Sequence, residues 1–117
     1  MPATLDISSQ DTIAAIATAM GPSGIGVVRL SGPDALAITE KVIYFDTGRR
    51  LKDRIATVVQ LRDPGDGALF DEAMVTYMAA PNSYTTEDVV EISCHGGHTA
   101  VGMTLNALLG AGARLAS

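Results

Sequence analysis

A mixed α+β domain is what this sequence predicts, and three observations point there. Extended and helical segments follow one another as β-β-α-β-β-β-α, without the regular βαβ alternation that a doubly wound sheet requires. No internal repeat interrupts that order. At 117 residues, with 47% hydrophobic and 18% charged positions, the chain is long enough to bury one core without disulfide or metal staples.

Residues 1–10 are small and polar without periodicity and read as a flexible leader, leaving 11–117 as the folded unit. Asp11 to Ala19 (DTIAAIATA) mixes β-branched and small residues and reads as a buried strand, although its alanines leave a helix open. Gly21, Pro22, Ser23 and Gly24 make a turn into a second strand, Ile25 to Ser31, so these two strands should pair. Gly32-Pro33-Asp34 marks a helix start, with Pro33 at the first helical position and an acidic residue at the positive end of the dipole. Ala35, Ile38 and Val42, with Leu36, Thr39 and Ile43 alongside, set one buried helical stripe. Strands follow at Ile55–Leu61 and Ala73–Ala80, joined as a hairpin by RDPGDGALF, where Pro64, Gly65 and Gly67 supply the turn. Asp88 to Cys94 is a further strand, broken by Gly96-Gly97. His98 to Leu109 is a helix with Val101, Leu105, Leu108 and Leu109 at helical spacing, closed by Gly110. Arg114, Leu115 and Ala116 start another extended segment, as in a fragment of a longer protein.

Bulk properties exclude several functions. The formal net charge is −5, which opposes a general affinity for polyphosphate. Arg49, Arg50, Lys52 and Arg54 are the exception, placing half of the eight basic residues in GRRLKDR, as a solvated loop or a local nucleic-acid contact. No apolar run approaches the roughly 20 residues that span a bilayer. The N-terminus has neither a basic n-region nor an apolar h-region, and the expectation is a cytoplasmic protein with no membrane partner. Gly21, Gly24 and Gly26 precede a strand rather than open a helix, and no phosphate-loop motif occurs, so this chain alone should not bind GTP or ATP. Cys94 is the only cysteine. CHGGH falls short of a four-ligand metal site, and Cys94 faces the core with no third group to activate it, so neither metal nor a cysteine nucleophile is expected.

Two charges set inside apolar strands remain. In DVVEISC, alternation puts Val90, Ile92 and Cys94 on the core face and Val89, Glu91 and Ser93 on the other. A carboxylate there accepts two hydrogen bonds from a planar donor edge such as that of a pterin, or faces solvent, or pairs with Arg29. In GIGVVRLSG, Ile25, Val27, Arg29 and Ser31 share a face opposite Gly26, Val28 and Leu30. The Arg29 guanidinium can fix a carboxylate, carbonyl or phosphate in a defined plane, or form an ordinary ion pair. No acid–base pair for catalysis is evident.

DTIAAIAT, GIGVVRLSGPDA, PNSYTTEDVVEISCHGG and GAGARLAS, in that order, resemble the N-terminal domain of the tRNA uridine modification GTPase family known as MnmE or TrmE, from Asp11 to Ser117. The resemblance implies an α+β fold similar to the folate-binding domain of aminomethyltransferases, binding 5-formyltetrahydrofolate or a related tetrahydrofolate and forming a homodimer. It places the family's folate-contacting arginine on Arg29 and its glutamate on Glu91. Pro22-Ser23 departs from the Arg-Gly more usual at that loop. The family's further folate-contacting lysine, helical domain, GTPase domain with its GTP and cations, and C-terminal cysteine are not in this sequence. In the family, the GTPase and a flavin-dependent partner add an aminomethyl-type group to carbon 5 of the wobble uridine of tRNA. The alternatives are a cofactor-free self-association scaffold, with Arg29 and Glu91 as a rim ion pair, and a tRNA-contacting module.

Overall fold

Seven strands form one sheet in the order β3-β4-β5-β6-β2-β1-β7, with two helices on one of its faces. The computed structural model describes residues 11–17, 26–45, 50–80 and 87–116. The leader, the Gly21–Gly24 turn, the end of the first expected strand, Arg49 and residues 81–86 lie outside them. The elements are β1 (Ile13–Ile16), β2 (Gly26–Ser31), α1 (Ala35–Val42), β3 (Ile43–Tyr44), β4 (Thr57–Arg62), β5 (Leu69–Met78), β6 (Val89–Cys94), α2 (Gly97–Gly110) and β7 (Arg114–Leu115). Every neighbouring pair is antiparallel except β1 and β7, which run parallel and make the sheet mixed. The expected α+β class is what forms.

Period-two alternation builds the core. Ala14, Val28, Leu30, Val59, Leu61, Ala73, Val75, Val90, Ile92 and Cys94 point to the helical side and are buried. Against them α1 sets Ala35, Ile38, Thr39 and Val42, and α2 sets Ala100, Val101, Thr104, Ala107 and Leu108. Burying one Val, Leu or Ile side chain contributes about 1.5–3 kcal/mol relative to leaving it exposed, so this single cluster dominates stability. The two buried threonines donate to the carbonyls one turn back, Thr39 to Ala35 at 2.8 Å and Thr104 to Ala100 at 2.7 Å.

Several boundaries differ from the expectation, each for a physical reason. Pro33 is not the first helical residue. Gly32–Asp34 form a turn, with Ala35 N donating to Gly32 O, and the N-cap Asp34 gives its own N–H to Thr12 Oγ1 at 2.9 Å. Gly32 has φ +145°, and a Cβ there would sit 2.5 Å from Thr12 Cα, so only glycine lets β1 and β2 meet the helix start so closely. Ile43, expected on the helix, turns extended and pairs with Leu61. It reaches the core from a short edge strand instead. Ile55 is exposed, with its N–H on Lys52 O, so β4 starts at Thr57.

β5 begins at Leu69 because the hairpin turn closes early. Asp63 Oδ1 accepts from Gly65 N and Asp66 N, and Asp66 Oδ1 accepts from Ala68 N. α2 opens at Gly97 (φ +77°), one residue before the expected start. At its far end Gly112 N and Ala113 N donate to Leu109 O and Leu108 O, which brings Arg114 beside β1. Arg114 N then donates to Thr12 O, and its guanidinium pairs with Asp11.

Candidate functional site

β2 and β6 are central neighbours, and their register sets the site. Val28 and Leu30 of β2 and Val90 and Ile92 of β6 must all face the helices, so parity turns Arg29 and Glu91 to the opposite, helix-free face. Antiparallel pairing then sets Arg29 directly across from Glu91. Residues 62 apart in sequence are brought into contact: Arg29 Nε and Nη2 donate to Glu91 Oε2 at 2.9 and 2.6 Å. Their side chains are 42% and 23% exposed. Both bonds land on Oε2, and no described residue donates to Oε1.

The surrounding face is ordered in cross-strand rows. Thr76, Glu91, Arg29 and Ala15 form one row, and Val58, Met74, Ser93 and Val27 form the next. Val58 and Met74 are 54% and 42% exposed, so an uncovered apolar strip lies beside the ion pair. On the other side Ser31 Oγ donates to Glu87 Oε1 at 3.1 Å. Met74, Thr76, Ser31 and Glu87 were not singled out from sequence, although alternation within β5 carried the signal for the first two. Val89 corrects the simple face assignment, since it shares Glu91's side of the strand yet is fully buried. Among the described residues, Arg29 and Glu91 line none of three cavities of about 460, 300 and 340 Å³, the last of which reaches Glu87.

The CHGGH segment separates rather than converges. Cys94 is buried with Sγ 3.3 Å from Thr104 Oγ1; burial pushes its thiol above the ordinary range, against a lowering by that hydrogen bond and with a smaller upward push from Asp71. His95 turns to the neighbouring strand, where Nδ1, in the tautomer that carries its proton, donates to Glu72 O at 3.1 Å. Asp71 Oδ2 accepts from His95 N and Gly96 N, tying the β6–α2 turn to β5. A thiol held protonated and away from both imidazoles is a packing group.

Residues 12–117 match the profile of the family described as GTP-binding protein TrmE N-terminus. This chain belongs to that family. It is 53% identical over 107 residues to the tRNA modification GTPase MnmE of Chloroflexus aurantiacus, covering 92% of this chain and 24% of the relative. It is 51% identical over 109 residues to that of Shouchella clausii, covering 91% of this chain and 23% of the relative. For Geobacillus thermodenitrificans the identity is 46% over 109 residues, covering 91% and 24%. The chain therefore spans about a quarter of the length of the curated relatives it matches. The matched family is the TrmE N-terminus, and these relatives are named tRNA modification GTPase MnmE. Among the described residues, no helix is long and apolar enough to cross a membrane.

Proposed function

We propose that this TrmE N-terminal domain binds a reduced folate, 5-formyltetrahydrofolate or a close relative, on the open face of its sheet, and that a second copy covers that face. The observation that carries the reading is the pairing of Arg29 with Glu91 outside the core, beside the exposed apolar strip of Val58 and Met74. The donor set fits a pterin. Glu91 offers a carboxylate oxygen without a partner among the described residues, suited to a ring N–H or exocyclic amine, and the apolar strip suits the flat ring. Arg29 holds the carboxylate in plane and presents positive charge to the ligand's carbonyl or carboxylate oxygens. A second copy closing over this face would exclude water from a bound folate, which is the physical case for placing it at a dimer seam.

A bound formyltetrahydrofolate would supply a one-carbon unit. This chain's residues would bind and orient it. GTP hydrolysis, a flavin-dependent partner and the aminomethyl-type addition at carbon 5 of the tRNA wobble uridine belong, in this reading, to the whole protein in the cytoplasm. Titration calorimetry with 5-formyltetrahydrofolate should give heat for the native chain and lose it for Glu91→Gln and Arg29→Met. Equal heats in all three refute the site.

One observation favours a second reading: Arg29 and Glu91 already pair with each other without a ligand. In a cofactor-free scaffold they would only tie β2 to β6 beside a self-association surface. Sedimentation separates the two, because the scaffold dimerises with or without folate and gives no ligand signal.

A further inference from the structure

We propose that Glu87 selects the reduced state of the pterin, its carboxylate accepting from the N8–H that tetrahydro- and dihydropterins carry and oxidised folate lacks. The inference rests on the folate reading above and adds a specificity-determining residue to that site.

Register brings Glu87 to the same face. Ser31 follows Arg29 by two positions on β2 and shares its side of the sheet, so the two side chains start about 7 Å apart along one strand. Ser31 Oγ donates to Glu87 Oε1 at 3.1 Å, which holds a second carboxylate one cross-strand row from the Arg29–Glu91 pair. Glu87 also lines the cavity of about 340 Å³, together with Pro33, Ala80 and Asp88. That volume falls in the roughly 300–1,000 Å³ of small-molecule sites.

The two carboxylates at this cavity differ in what they hold. Asp88 serves the backbone: its Oδ1 accepts from Ala80 N at 2.8 Å, and its carbonyl oxygen accepts from Gly32 N at 3.0 Å. These bonds tie together the ends of β5, β6 and β2. Pro33 has no N–H, and Ala80 gives its own to Asp88, so both meet a ring through apolar surface. Glu87, fixed through Ser31 rather than through the backbone, is the carboxylate suited to read a polar atom of the ring.

Pterin chemistry supplies the selection. A tetrahydropterin presents N3–H, the 2-amine and N8–H, all donors, around one end of its ring system. In oxidised folate N8 is a bare ring nitrogen and can only accept. Two carboxylates on one face suit the reduced ring, with Glu91 at the amine and Glu87 at N8–H. The oxidised ring would set a nitrogen lone pair against a carboxylate oxygen, with no proton between them, and lose affinity.

The test is titration calorimetry of the native chain, Glu87→Gln and Glu87→Asp with 5-formyltetrahydrofolate, 7,8-dihydrofolate and folic acid. The last two differ only by the hydrogens at N8 and C7. The native chain should bind dihydrofolate about tenfold or more tighter than folic acid, as expected for a hydrogen bond to a charged group. Glu87→Gln keeps an oxygen for Ser31 Oγ and gains an N–H that can donate to bare N8, so it should bring that ratio within about threefold at an unchanged melting temperature. Glu87→Asp keeps the charge but withdraws it, and should weaken dihydrofolate without strengthening folic acid. A purely structural Glu87 would move the melting temperature and both affinities together. A native ratio near one, or a ratio unchanged in Glu87→Gln, overturns the proposal, while 5-formyltetrahydrofolate heat that depends on Arg29 and Glu91 leaves the folate reading standing. No heat from the native chain with any of the three ligands overturns both.

Discussion

Gly32→Ala should be the most damaging single methyl group in this domain, and the structure supplies its size. The new Cβ would lie 2.5 Å from Thr12 Cα, 2.7 Å from Asp11 O and 2.7 Å from Thr12 Oγ1, two of which are backbone atoms that cannot swing aside. Overpacking of this kind costs about 1–3 kcal/mol. The φ of +145° adds a conformational cost of about 1–3 kcal/mol for any residue with a Cβ. Displacing Thr12 also breaks its acceptance of Asp34 N–H, and Gly32 N–H to Asp88 O is put at risk, each worth about 1 kcal/mol. About 4–8 kcal/mol in total is a large part of the 5–15 kcal/mol that small domains possess. Because Gly32 ends the strand bearing Arg29 and bonds just ahead of the one bearing Glu91, the site would be disturbed with it. Urea unfolding is the assay, with Gly102→Ala as control. Position 102 lies inside α2 with nothing within 4 Å of the added Cβ, so that change should stabilise by about 0.5–1 kcal/mol. A Gly32→Ala loss below about 1 kcal/mol, or equal effects at the two positions, would refute the packing argument.

Asp71→Ala removes the acceptor for two backbone N–H groups and should cost about 1–3 kcal/mol; amide exchange should quicken at His95 and Gly96 before the rest of α2, and uniform protection would contradict it. Stability should fall as pH rises through the ordinary thiol and phenol range. Cys94 is raised mainly by burial, and Tyr77 by burial and then by Asp88, Asp53 and Glu40, so the unfolded chain releases these protons at lower pH than the folded one. Unfolding midpoints between pH 8 and 11 should decline, and less steeply in Tyr77→Phe; a flat profile rules this out. Cys94 should react with a thiol reagent at the rate of unfolding rather than on mixing, and immediate labelling would place it at the surface.

Much of this fold is legible in the one-dimensional pattern, because alternation and helical spacing report burial directly. Val28, Leu30, Val90 and Ile92 declare a core face in strands whose period is two, and Ala35, Ile38 and Val42 declare the α1 stripe. That same alternation makes Arg29 and Glu91 conspicuous as charges on the outward side. Illegible were features settled by contacts between distant segments. Ile43 satisfies either a helix or a strand locally, and only pairing with Leu61 decides. Pro33 fits a first helical turn until Thr12, 22 residues before Asp34, takes the N–H that fixes the cap two residues later.

The sequence by itself determined which residues seek the interior, the α+β class and the two charges that no core tolerates unpaired, since each follows from local period and the cost of burying charge. Tertiary structure alone decided that β6 docks beside β2 in the register that sets Arg29 against Glu91, that β7 returns parallel to β1, and that Arg50 and Arg62 meet at one end of α1. Strand order and register are set by how whole faces pack together, a collective property that no local window of residues contains.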